Sequence, residues 1–241
     1  MRESAIVEIA VQDPTGARVA MEAGADRLEL CQALALGGLT PSLGLIEAVC
    51  AEVGAAAVNV LMRPRAGGFV YDASEIAVVE RDVRACAARG VGGVVVGALT
   101  PDGRMDREAL QRWRDAAGDT ALVFHRAIDA SPHPDEVFEG ILEGGVDRVL
   151  TSGGAARSVD GLARLAGYVR RSAGVVEVMA GGGVTPADIP AILDAGPRAV
   201  HLSARARADD DSPAGPGGGV DGHDITDAAV VAAAVAASRL P

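Results

Sequence analysis

Lysine is absent from the 241 residues: all 22 basic side chains are arginine. That excludes a Schiff-base lysine and the phosphate-binding lysine of a P-loop. Aromatic residues are scarce, with one Trp, two Tyr and three Phe, so a cofactor stacked between rings is not expected. Three cysteines, Cys31, Cys50 and Cys86, are too few and too widely spaced for a secreted disulfide scaffold. No stretch reaches the roughly 18 uninterrupted apolar residues of a membrane span, and Glu3 and Glu8 interrupt what a signal peptide would keep apolar. The formal net charge of −11 argues against nucleic acid and anionic membranes as partners. A reducing compartment, the cytoplasm, is the expected location.

What is present is a repeat of short β-branched runs and longer amphipathic stretches. Eight runs read as strands, at 5–11, 27–31, 57–63, 93–99, 121–127, 148–152, 175–180 and 199–204. Eight helices alternate with them, at 14–23, 42–52, 74–89, 106–116, 134–143, 158–172, 186–194 and 224–239. Strand–helix alternation argues for a parallel sheet. Eight units in about 250 residues fit one α/β domain, a (β/α)8 TIM barrel spanning 1–241. An open doubly wound sheet lacks its mark here, because no G-x-G-x-x-G follows the first run, and no nucleotide cofactor is expected. Helices end at glycines such as Gly24, Gly90, Gly145 and Gly196, each followed within a few residues by a strand. Ser74, Asp106 and Ser158 read as N-caps, and Pro14, Pro134 and Pro186 as first-turn residues. The Gly/Pro/Asp segment 206–223 reads as a flexible loop before the eighth helix. Cys86, on the apolar stripe of its helix with Val79 and Val83, reads as core.

In a barrel, one strand parity faces the lumen. The inward polar residues are then Glu8, Glu29, Asn59, Arg63, His125 and His201, with Ser203 and Arg205 continuing the parity of the eighth strand. Isolated buried charges cost several kcal/mol, so these either pair in a structural Glu–Arg and Glu–His network or meet a ligand. Glu177 stays unassigned. Arg65 and Arg126 fall at strand exits. Gly181, Gly182 and Gly183 follow the seventh strand, where barrels commonly bind phosphate on backbone amides. Arg63, Arg65, Arg126, Ser203, Arg205 and the three glycines are therefore candidate anion ligands. Glu8, Glu29 and His125 are the candidate acid–base groups of an isomerase, epimerase or lyase. A hard divalent metal on Glu8, Glu29 and His125 or His201 is a further possibility.

Seven motifs occur in order: Gly24-Ala-Asp-Arg-Leu-Glu-Leu-Cys31, Gly37-Gly-Leu-Thr-Pro-Ser-Leu-Gly44, Arg63-Pro-Arg65, Phe124-His-Arg-Ala-Ile-Asp129, Arg148-Val-Leu-Thr-Ser-Gly153, Met179-Ala-Gly-Gly-Gly183 and His201-Leu-Ser-Ala-Arg205. Together they resemble the CutC copper homeostasis family over about residues 5–205. The resemblance implies a TIM barrel, a cytoplasmic homo-oligomer and Cu(I) as cofactor or cargo. Ala10 stands where that family often carries a cysteine on the first strand, which leaves Cys31 and His201 as the implied copper ligands. Two functions are thus expected: copper homeostasis, or catalysis on a small anionic, phosphorylated molecule.

Overall fold

Strand alternation sorts the apolar residues onto one side of a closing sheet. The computed structural model of the protein describes residues 5–208 and 222–239. Eight parallel strands, β1 (Ile6–Val11), β2 (Arg27–Leu30), β3 (Val58–Leu61), β4 (Gly93–Val96), β5 (Ala121–Phe124), β6 (Arg148–Thr151), β7 (Glu177–Gly181) and β8 (Ala199–Leu202), pair in chain order, and β8 pairs back onto β1. The sheet is a closed (β/α)8 barrel. Around it lie α1 (Pro14–Glu22), α2 (Leu43–Val53), α3 (Ala73–Ala87), α4 (Arg107–Ala117), the single-turn α5 (Ala127–Ala130), α6 (Pro134–Glu143), α7 (Leu162–Ser172), α8 (Ile189–Asp194) and α9 (Ala228–Ser238).

Outward residues such as Val7, Ile9, Leu28, Leu30, Val58, Val60 and Phe124 pack with the helices into one large core. Each such buried aliphatic contributes about 1.5–3 kcal/mol. Among the described residues, two small apolar clusters lie in the lumen, Cys31–Leu61–Val95–Val123 and Leu150–Met179–Ala199. Glu8, Arg27, Glu29, Asn59, Arg148, Glu177 and His201 share the inward parity, so the barrel interior rather than the helical shell carries the chemistry.

Helix starts follow side-chain capping. Asp106 accepts from the Ala109 amide at 3.0 Å, and Asp13 from Gly16 at 2.8 Å ahead of Pro14. Three expected starts shift. Asp72, not Ser74, caps α3 through a reciprocal capping box with Glu75; the carboxylate serves two amides where a serine hydroxyl would serve one. Ser158 and Pro186 each open a turn of 3-10 helix, before α7 and α8 respectively. β2, β3, β4, β5, β6 and β8 end before the expected residue, where the chain leaves the sheet for the loops, while β1 ends at Val11 as expected and β7 runs one residue further, to Gly181.

The largest departure follows β8. Ala204 adopts a left-handed φ of 40°, and the chain turns out of the barrel into β9 (Arg205–Ala208). That strand pairs antiparallel with β10 (His223–Thr226). The ends of the expected loop 206–223 are therefore a hairpin stem; 209–221 lie outside the described residues. The last helix begins at Ala228, capped by Asp227, rather than at Asp224. Among the described residues no helix is long and apolar enough to cross a membrane.

Candidate functional site

Parallel pairing places residues of like parity side by side: Glu8 beside Arg27 and His201, Glu29 beside Asn59, and Arg148 beside Glu177. At the closed end of the lumen Arg27 bridges two carboxylates, donating to Glu8 at 2.6 Å and Glu177 at 2.5 Å. Arg148 donates to Asn59 Oδ1 at 3.2 Å and lies 3.8 Å from Glu177. This layer is the structural network that the sequence allowed. Arg27 was not singled out there, although it shares the parity of Glu29 on β2.

Glu8 joins that network to the layer above. Its carboxylate also accepts from Asn59 Nδ2 at 2.8 Å and meets His201 Nδ1 at 2.9 Å. Burial alone would raise its pKa, but the His201 hydrogen bond and the Arg27 charge outweigh it and hold Glu8 down to about 2. Glu8 is therefore held as an anion, which suits it less to the expected proton transfer than to fixing its neighbours. It orients His201 instead, placing the proton on Nδ1 and leaving Nε2 toward Glu29.

Glu29 is the titrating carboxyl. Burial pushes it up to about 7, with the Glu8 charge adding to the rise and His201 opposing it. Its Oε1 lies 4.0 Å from His201 Nε2, and its Oε2 has no hydrogen-bond partner. That separation exceeds a direct hydrogen bond. Burial disfavours the charged form of His201, but the Glu29 charge and the Glu8 hydrogen bond raise its pKa. Glu29 and His201 thus compete for a proton.

A cavity of about 270 Å³ opens above this pair. Glu29 and His201 form its floor. Arg63, Phe69, His125, Arg126, Gly182, Gly183 and Ser203 also line it, together with Leu34, Leu61, Leu150 and Leu202. Leu34 and Phe69 come from loops and were not foreseen, since loop side chains follow no parity. Arg63 is anchored by carbonyls, donating to Leu36 at 3.0 Å, Gly38 at 3.1 Å and Gly67 at 2.7 Å. Arg126 sits at the rim, held by Asp129 at 2.8 Å and Ser152 at 3.1 Å. Gly182 has a φ of 125°, and a Cβ there would meet the Arg126 guanidinium at 2.8 Å. Glycine at that position lets backbone amide and guanidinium share one corner.

His125 is buried, and Nδ1 accepts the Ala127 amide at 3.1 Å. Burial, reinforced by the Arg63 charge, lowers its pKa to about 3. The neutral imidazole is favoured, and with Nδ1 accepting the Ala127 amide its proton lies on Nε2. Three other candidates leave the site. Arg65 is half-buried and engages Glu75 and the loop carbonyls of Gly68 and Val70. Arg205, turned out by Ala204, pairs with Asp224 at 3.1 Å. Gly181 is the last residue of β7, pressed against Leu150 and His201 beneath the cavity. Cys31 is fully buried among Leu61, Val95 and Val123, and burial, with Glu29 adding, pushes its thiol well above the ordinary range. Among the described residues, the group of three or more possible metal donors is Glu8, Glu29 and His201, within 4.8 Å of one another.

The model of the CutC family matches residues 5–206. CutC family proteins of Xanthomonas campestris pv. campestris (strain 8004) and Agrobacterium fabrum are 42% and 40% identical over 200 and 202 residues. Each alignment spans 83% of this chain, and 83% and 80% of those relatives respectively. Among solved structures, CutC of Streptococcus agalactiae superposes with a TM-score of 0.77 at 28% identity, covering 82% of this chain and 97% of that one. The chain belongs to the CutC family.

Proposed function

We propose that this CutC-family barrel binds a small anionic molecule at its mouth and moves a proton on it, as an isomerase, epimerase or lyase does. The observation that carries the reading is Glu29: a buried carboxyl poised near neutrality, one oxygen unpaired, 4.0 Å from an imidazole that Glu8 orients. Fixed carboxylate, imidazole and titrating carboxyl supply one group to take a proton and one to give it. The Arg126 fork and the turn at Gly182 and Gly183 offer charge and backbone donors suited to a phosphate or carboxylate. Leu61, Phe69 and Leu150 give the rest of the ligand an apolar seat.

Copper is the second reading, because the S. agalactiae relative carries a copper homeostasis name. We read the donor set as poorly matched to Cu(I), which favours thiolate and thioether sulfur. Cys31 is a lone protonated thiol among aliphatics, and Ala10 lies inward beside Glu29 in the β1–β2 register. The Glu8–Glu29–His201 group offers oxygen and nitrogen, and Glu8 already serves three donors.

Native mass spectrometry of protein recovered from its own cells tests the choice. A retained small anion, lost in Arg126→Ala, is the expected result. Retained copper that disappears in Cys31→Ala, with no anion, overturns the proposal.

A further inference from the structure

Arg126 commits two of its nitrogens to the protein, Nε to Asp129 at 2.8 Å and Nη2 to Ser152 Oγ at 3.1 Å. Neither contact uses Nη1, and the side chain is 41% exposed. A Cβ on Gly182 would lie 3.0 Å from Nη1, so the guanidinium rests over the turn that follows β7. The peptide between Gly182 and Gly183 is pinned from behind: its carbonyl accepts from Ser158 N at 2.9 Å and from Ser158 Oγ at 3.3 Å. In a trans peptide the N–H points opposite to the C=O. The Gly183 amide is therefore turned away from Ser158, which lies outside the cavity lining, and Gly183 is an exposed residue of that lining. β7 and β8 run side by side with Gly181 next to His201. Two residues further on, Gly183 and Ser203 leave their strands at the same edge of the mouth, and both line the cavity. Ser203 is half-buried, and its hydroxyl makes no hydrogen bond among the described residues.

Guanidinium, backbone amide and hydroxyl thus border one corner from three sides. A carboxylate offers two oxygens in a plane, whereas a phosphate monoester offers three, spread tetrahedrally, with close to two charges. We propose that Arg126 Nη1, the Gly183 amide and the Ser203 hydroxyl bind the phosphate of a phosphate monoester whose carbon chain, three or four atoms long, runs down to Glu29 and His201. This rests on the proton-transfer reading above and gives its substrate class. Two lengths agree on the chain. His201 lies two residues below Ser203 on β8 with the same parity, about 6.6 Å along the strand. An extended chain advances about 1.3 Å per bond, so four or five bonds from phosphorus reach the third or fourth carbon. The cavity of about 270 Å³ matches about nine waters at ~30 Å³ each, and hence a ligand of about nine non-hydrogen atoms. Charge sets the direction. The Glu8 carboxylate beneath the floor repels a second anion, so the phosphate takes the mouth and the reacting carbon takes the far end.

The test compares propyl phosphate with pentanoate, a carboxylate of the same length, by calorimetric titration of the intact protein at pH 8. Propyl phosphate is expected to bind at least about tenfold tighter, the fold-change of one charge-assisted hydrogen bond. Ser203→Ala is expected to erase about tenfold of that affinity and to leave pentanoate unchanged. Hexyl phosphate is expected to bind no tighter than butyl phosphate, because the floor stops the chain; a continued gain of about fourfold per methylene overturns the length. Equal affinities for propyl phosphate and pentanoate overturn the phosphate assignment and leave the anion reading standing. Binding of neither removes both. The proton-transfer reading fails by a different measurement, a Glu29 carboxyl that titrates at its ordinary value, and phosphate binding survives that result. If Ser203→Ala does not fold, the Gly183 amide proton of the unsubstituted protein decides: it is expected to move downfield on saturation with propyl phosphate, and an unmoved resonance overturns the assignment.

Discussion

Glu8 and Glu29 are the same residue type, one strand apart in the same lumen, and their ionisation differs because their partners differ. Glu8 accepts from Arg27, Asn59 and His201, whereas Glu29 Oε2 accepts from nothing. Hydrogen bonds to a carboxylate stabilise its charge; burial without them does the opposite. Glu29 labelled with ¹³C at its carboxyl is expected to titrate near pH 7, and His201→Phe to raise that midpoint further, since His201 is the group that lowers it. A midpoint near 4.5 in the unsubstituted protein removes the proton-transfer role. Parity along β1, β2 and β8 was enough to nominate Glu8, Glu29 and His201. Which of them titrates was not readable there, because desolvation depends on what covers the group.

Loops between elements are tied by one carboxylate in particular. Asp129, at the end of β5 in the short α5 turn, accepts from Arg126 at 2.8 Å, Thr151 at 2.6 Å, Ser152 N at 2.9 Å and Gly154 N at 3.0 Å. It thereby clamps the loop after β6 to the loop after β5 and sets the direction of Arg126. Asp129→Ala leaves the Ser152 and Gly154 amides and the Thr151 hydroxyl proton without their acceptor and is expected to cost about 2–3 kcal/mol, read as a lower urea midpoint with unchanged m. A loss below about 0.5 kcal/mol would mean that the clamp is ornamental. Element ends are also where parity stopped being a guide. β8 ends at Leu202 and Ala204 reverses the chain, so Arg205 lies on a hairpin. β3 ends at Leu61, and Arg65, four residues on, folds back onto α3 through Glu75. Arg63 stays inward only because three loop carbonyls hold it.

At the scale of the barrel, folding moves the two carboxyls in opposite directions, and stability follows. Glu8 binds its proton less readily in the folded state, so its contribution is complete above pH 4.5 and is lost as pH falls toward 2. Glu29 binds its proton more readily, so stability falls as pH rises from about 4.5 through 7. Glu29→Gln removes the second slope. Between pH 4.5 and 7.5 the unsubstituted protein is expected to lose up to about 3 kcal/mol relative to that variant, from a shift of this size at ~1.4 kcal/mol per pKa unit. Urea titrations of both proteins at the two pH values measure it; a difference that does not change with pH contradicts the assignment. The site exists only because closure brings Glu8 and His201, 193 residues apart, within 2.9 Å.

The chain alone announces eight strand–helix units and the face each strand turns inward, because a period of two, a capping carboxylate and a glycine after a helix are local properties of a few residues. Long-range folding chose among the inward polar groups. It paired Glu8 with Arg27, left Glu29 Oε2 without a hydrogen-bond partner, fixed the His125 tautomer through Ala127 and sent Arg205 outside. Those outcomes depend on desolvation and on partners from distant strands, and no window of sequence contains either.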